Sequence, residues 1–216
     1  MLPWWVSLAA AEVPLPSWRE ELLRAEWAAV NAQIEQSCTE PRFIGQAVTC
    51  REESLRAAID RAVAFQAQVT EDGGLAYLVG LAWRYLGDTA KAERHYRRAT
   101  ALRPDDQGAW NDLGEMYLAQ GRLDEAAEAF DHVSELVADA PQGWIGPWRL
   151  AEVAAHRGDP AAFETHLREA LRRGFTFQTI AGLPNWKAFY ADPRMRDSLD
   201  KLITVYGDEA ILDSLR

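Results

Sequence analysis

Cys38 and Cys50 are the two cysteines of this 216-residue chain, twelve positions apart in QSCTEPRFIGQAVTC. Thiols hold metals, exchange disulfides or form one structural bridge, and spacing chooses among these. Neither cysteine belongs to a CxxC pair and no histidine lies near them, so zinc ligation and thioredoxin-type exchange are poorly supported. Two buried thiols or one disulfide remain. Pro41, Gly45 and the lack of helical period mark the stretch between them as a loop whose ends each meet a helix. The four histidines, His95, His132, His156 and His166, are scattered, with no i, i+4 pair to make a ligand face. Asp105-Asp106 and Asp124-Glu125 fall where helices are expected to start, and there they complement the helix dipole rather than bind calcium. No glycine-rich phosphate loop, GxSxG, HExxH or kinase-like set is present. Catalytic residues, metal and cofactor are therefore all expected to be absent, and the chain reads as a non-enzyme.

The elements behind these residues are those of an ordinary globular chain, with 48% hydrophobic and 26% charged residues. Twenty-three basic against 33 acidic groups leave a net charge of −10, which repels phosphate backbones, so a nucleic-acid partner is not expected. The acidic excess lies before residue 141; beyond it ten basic groups balance ten acidic ones. No run of ~18 apolar residues offers a transmembrane helix. Residues 1–11, MLPWWVSLAAA, are uncharged and end in the small residues read by signal peptidase, a candidate signal-peptide remnant. They lack a basic start, and an apolar tail packed on the first helix is the other reading. Export and a loop-closing disulfide support each other, because the bridge persists only in an oxidising compartment. A periplasmic or extracellular location is expected, with the cytoplasm as the alternative.

A repeat of 34 residues organises the middle of the chain. Shifting residues 73–105 by 34 places Gly74 on Gly108, Gly80 on Gly114, Gly87 on Gly121 and Ala92 on Ala126, and matches Tyr96 with Phe130. The spacing within each unit is helical and breaks at Gly87-Asp88 and Gly121-Arg122, so each unit reads as helix, turn, helix. Gly80 and Gly114 let the first helix approach the second, whose Tyr96 and Phe130 fill the space one turn beyond. The same shift sets Glu125, Glu128 and Asp131 against Lys91, Arg94 and Arg97, which predicts a ladder of opposite charges between neighbouring second helices. A third unit carries Trp144, 34 beyond Trp110, with a short insertion expected around Gly146-Pro147 and a second helix packed through Phe163, Leu167 and Ala170. Residues 17–36 and 52–69 have amphipathic spacing. Asp192-Pro193 opens a helix through Met195, Leu199, Leu202 and Val205 to Gly207.

Residues 107–140 resemble the tetratricopeptide repeat, W-x2-L-G-x2-Y then A-x3-F, at Trp110, Leu113, Gly114, Tyr117, Ala126 and Phe130. Residues 73–106 match at Val79, Gly80, Trp83, Ala92, Tyr96, Ala99 and Pro104, with Ala76 in place of the tryptophan. The resemblance implies an all-α, right-handed α-solenoid with divergent ends: a helix pair in 12–72 holding the cysteine loop, repeats at 73–106 and 107–140, a degenerate repeat at 141–174, and closing helices in 175–216. It also implies a protein-binding scaffold whose first helices line a concave face. Carried onto this chain, the ligand positions are Tyr77, Leu81, Arg84 and Tyr85, then Asn111, Glu115, Leu118 and Ala119. The expected partner is a protein or peptide ligand. Leu81 and Asp112 stand where a carboxylate clamp would need asparagine, so that clamp is not expected. Two alternatives are a self-assembling homo-oligomer and an envelope protein stacking glycans on Trp144, Trp148 and Trp186.

Overall fold

Aspartates begin four of the described helices, because a carboxylate placed just before a helix accepts the orphan N–H groups of its first turn. In the structure, a computed structural model describing residues 17–39, 48–206 and 209–216, Asp72 accepts from Leu75 N at 2.8 Å, Asp88 from Lys91 N at 3.0 Å and Asp106 from Ala109 N at 3.1 Å. These caps start α3 (Gly73–Tyr85), α4 (Thr89–Leu102) and α5 (Gln107–Ala119). Two divergent helices precede them, α1 (Ser17–Ser37) and α2 (Glu52–Gln68). After them come α6 (Leu123–Leu136), α7 (Ile145–Arg157) and α8 (Pro160–Arg172). A 3-10 turn at Phe177–Ile180 leads to α9 (Pro184–Ala191), α10 (Pro193–Tyr206) and the short α11 (Leu212–Leu215). The candidate signal remnant, the loop residues Pro41 and Gly45, and the helix stop at Gly207 lie outside the described residues.

Helices α1 to α8 pack in sequence order, each against its neighbour, which is the one-dimensional stacking of an α-solenoid, and α10 then folds back on α8 and α11 on α9. Three runs of buried side chains follow one another: Val30, Ile34, Leu55 and Leu78 at the start, Tyr96, Leu113 and Phe130 in the middle, and Phe163, Trp186 and Leu199 at the end. A Cβ on Gly80 would sit 2.8 Å from the Tyr96 ring, and one on Gly114 would sit 2.5 Å from the Phe130 ring. The glycines therefore fix how closely the two helices of each repeat approach. Gly114→Ala is expected to cost ~1–3 kcal/mol by overpacking, read as a lower urea midpoint with an unchanged m-value. An unchanged midpoint would show that Phe130 moves aside freely.

Three sequence expectations are corrected. The insertion is not at Gly146-Pro147, which lie in the first turn of α7; it is in residues 137–144, where eight residues join α6 to α7 while four, 103–106, join α4 to α5. Gly146 instead brings α7 onto the backbone of Ser134, 2.5 Å from where its Cβ would be. The charge ladder also differs. Lys91 pairs with Asp88 and lies 4.0 Å from the Trp83 ring centre, Arg97 reaches Glu93 of its own helix, and Glu125 bonds Arg122. The bridge between neighbouring repeats runs from Arg122, at the turn, to Glu93 at 2.8 Å. Side chains four residues apart on one helix meet more readily than those across the gap between α4 and α6. A double-mutant cycle is expected to show coupling between Arg122 and Glu93 and none between Arg94 and Glu128. Lastly, Val205 is 65% exposed, whereas Met195, Leu199 and Leu202 are buried.

The tryptophans expected to stack glycans are occupied. Trp186 is fully buried, Trp148 is 8% exposed, and Trp144 packs against Trp148 and Phe175 with ring centres 5.7 Å from each. Trp148 and Trp186, enclosed in the core, present no platform for a sugar, and Trp144 is half-buried against them. They hold the last helices onto α7 and α8.

Candidate partner-binding groove

The first helices of successive pairs share one face, and a polar network crosses it. Tyr77 of α3 donates its hydroxyl to Asp112 of α5 at 3.1 Å. Arg84 donates to Glu115 at 2.7 Å and lies 3.5 Å from Asp112. Arg149 of α7 bonds Glu115 from the other side and donates to Glu152 at 2.8 Å. Glu152 then accepts from Trp186 Nε1 at 2.8 Å and from Asn185 at 2.7 Å, both on α9. Arg84, Glu115, Arg149 and Glu152 thus alternate in sign along three helices.

Burial and charge oppose each other at these groups. Burial penalises the Arg84 guanidinium, but Glu115 and Asp112 outweigh it and raise its pKa. Burial pushes Glu115 up, yet Arg149 and Arg84 together draw it below the usual carboxylate range. At Asp112 burial wins and the pKa is raised despite Arg84. Burial and the facing Asp112 also raise Tyr77. Arg84 and Arg149 are committed to internal carboxylates, which leaves no free cation among the described residues of α3, α5 and α7 in this network to clamp an anionic terminus.

The expected ligand positions divide into two groups. Tyr77, Arg84 and Glu115 join the network, and Asn111 lies beside it with its amide 3.5 Å from Asp112. Leu81 and Tyr85 face a recess of about 320 Å³ lined by Asn31, Ile34, Glu35 and Cys38 of α1 and its end, with Thr39 and Val48. Tyr85 is 39% exposed, Leu118 is half-buried against the middle core, and Ala119 is exposed. At the far end the face is closed, because α9 covers Glu152.

Arg149, Glu152, Asn185 and Trp186 were not among the expected site residues. The missing signal is a change of period: Gly121 and Gly158, the two turn glycines with φ of 73° and 69°, lie 37 apart rather than 34. A shift of 37 puts Trp148 on Asn111 and Glu152 on Glu115, on the same face.

At the cysteines, Thr39 N donates to Thr49 O and Arg51 N to Ser37 O, each at 2.9 Å, forming a single antiparallel bridge. The Cys38 and Cys50 Cα atoms are 4.0 Å apart and their sulfurs are at bonding distance, a disulfide-compatible pair.

Comparison with known proteins agrees with this architecture. The tetratricopeptide-repeat family model matches residues 77–141. That stretch is similar to tetratricopeptide repeats. Among solved structures, PilF of Pseudomonas aeruginosa has a TM-score of 0.61 at 15% identity, covering 92% of this chain and 90% of that one. MamA from Desulfovibrio magneticus RS-1 has 0.59 at 15% identity, covering 93% and 100%. At such identity these likenesses speak for the tetratricopeptide solenoid alone. Superkiller protein 3 of Schizosaccharomyces pombe is 29% identical over 126 residues, 53% of this chain. Protein POLLENLESS 3-LIKE 2 of Arabidopsis thaliana is 36% identical over 81 residues, 37% of this chain. The chain spans only 9% and 18% of the lengths of these two relatives. No helix among the described residues is long and apolar enough to cross a membrane.

Proposed function

We propose that this chain is a non-catalytic protein-interaction scaffold that seats a peptide or protein segment on the concave face of its repeats. One observation carries the reading: Leu81 and Tyr85 border an open recess at the end of the face that α9 leaves uncovered. Aromatic side chains that packing leaves exposed beside a cavity are the usual hot-spot type. Tyr77, Arg84 and Glu115 serve the face by setting its shape, and Asn111 and Leu118 continue it toward α7. The tetratricopeptide fold itself supports a protein or peptide partner.

The test uses affinity capture of a partner followed by substitution. Tyr85→Ala is expected to melt close to wild type and to weaken the captured partner by more than ~1 kcal/mol. Arg84→Ala is expected to melt lower, since it leaves Glu115 and Asp112 short of a counter-charge. Normal binding by a well-folded Tyr85→Ala would place the partner elsewhere.

We also place the protein in an oxidising compartment, the periplasm or the cell exterior, on the support of the paired cysteines. A second reading, self-assembly, is favoured by Trp18 and Leu22 of α1, which are 57% and 43% exposed at the solenoid's first helix. Sedimentation over a concentration range separates a self-associating chain from a monomeric adaptor.

A further inference from the structure

From the chemistry lining the α1–α3 recess we infer that it takes an apolar side chain and an adjacent cationic one from a peptide segment. This rests on the concave-face reading above and names the chemistry of its ligand. The floor is apolar: Ile34 is 3% exposed, Leu81 is half-buried, and the side walls are Cys38, Val48 and the Tyr85 ring. About 320 Å³ admits a leucine-sized group with room to spare. The rim carries one charge, Glu35. It accepts from Asn31 Nδ2 at 2.8 Å, and among the described residues no lysine or arginine pairs with it.

Every other carboxylate on this face is already matched. Asp112 and Glu115 share Arg84, and Glu115 and Glu152 share Arg149. Among the described residues Glu35 is therefore the face's uncompensated charge, one helical turn from Cys38 and Asn31 and beside the apolar floor. The acidic excess of residues 1–140 adds a long-range pull on the same sign of ligand. An acidic segment or a free carboxyl terminus would meet Glu35 with no arginine among the described residues of the recess to receive it. Trp27, one turn before Asn31 and 39% exposed, extends the same side of α1 toward the start of α3.

The full chain would be titrated with three capped peptides, acetyl-GSLKSG-amide, acetyl-GSLQSG-amide and acetyl-GSGKSG-amide, and dissociation constants compared. Losing the lysine charge is expected to weaken binding about two- to fivefold, the range of an exposed ion pair. Losing the leucine is expected to weaken it about tenfold. Glu35→Gln should abolish the preference for lysine over glutamine while keeping the preference for leucine, and Tyr85→Ala should do the reverse. Equal binding of the lysine and glutamine peptides, or a lysine preference that survives Glu35→Gln, overturns the inference. So does an absence of measurable binding. A peptide weakened by Ala119→Arg but indifferent to Glu35→Gln and Tyr85→Ala would sit farther along the face. That outcome keeps the groove as a binding surface and overturns the recess as its anchor.

Discussion

Glu152→Ala is expected to lose ~3–5 kcal/mol of stability, the cost of removing one partner from a buried, hydrogen-bonded charge pair. Glu152 is 1% exposed and serves three donors: Arg149, Asn185 and the indole of Trp186. Without it the Arg149 guanidinium keeps only Glu115, and the Trp186 N–H is enclosed with no acceptor. Trp186 is the largest fully buried side chain, so α9 and the helices behind it depend on this one carboxylate to seat correctly. Glu152→Gln keeps an acceptor for the indole but not the charge, and should lose less. Chemical denaturation of both variants checks the order. Equal losses would mean that the charge carries the effect and that the acceptor kept for the indole adds nothing. A near-neutral Glu152→Ala would mean that α9 is held by Trp186 packing alone.

Reducing the Cys38–Cys50 pair is expected to cost about 3 kcal/mol, from the loop-closure entropy that a bridge across twelve positions removes from the unfolded chain. The oxidised protein should show no free thiol on titration in denaturant without reductant, and its melting temperature should fall once reductant is added. Two free thiols in protein purified from an oxidising compartment would end the structural-disulfide reading. The effect should concentrate at the first helix pair, because Ser37, Thr39, Thr49 and Arg51 exchange the backbone hydrogen bonds that fasten α1 to the start of α2. The same loss would loosen one wall of the recess beside Leu81 and Tyr85.

The repeat architecture was legible in the sequence because it is written in local, periodic terms. Gly80 and Gly114 face Tyr96 and Phe130 as the 34-residue shift requires, and Asp88 and Asp106 cap the helices they precede. Turn glycines, capping carboxylates and small-against-large packing act between residues near in sequence or one repeat apart, so their spacing alone carries them. The polar network across the first helices was only half legible. Tyr77, Arg84 and Glu115 share one network, as their spacing implies, but their partners Arg149 and Glu152 lay beyond a change of period that shifted every later position by three.

What the sequence by itself determined is the helical solenoid, its turns and its charge balance. Which side chains remain free was decided by the tertiary structure. Arg84 reads as an open cation in the sequence and is engaged by Glu115 and Asp112 in the fold; Trp148 and Trp186 read as platforms and are enclosed. The physical reason is that exposure belongs to neighbours brought close by packing, and α9 returns to α7 from 34 residues away to cover Glu152. Spacing along one helix says which face a residue shares, but only the next helix says whether that face is open.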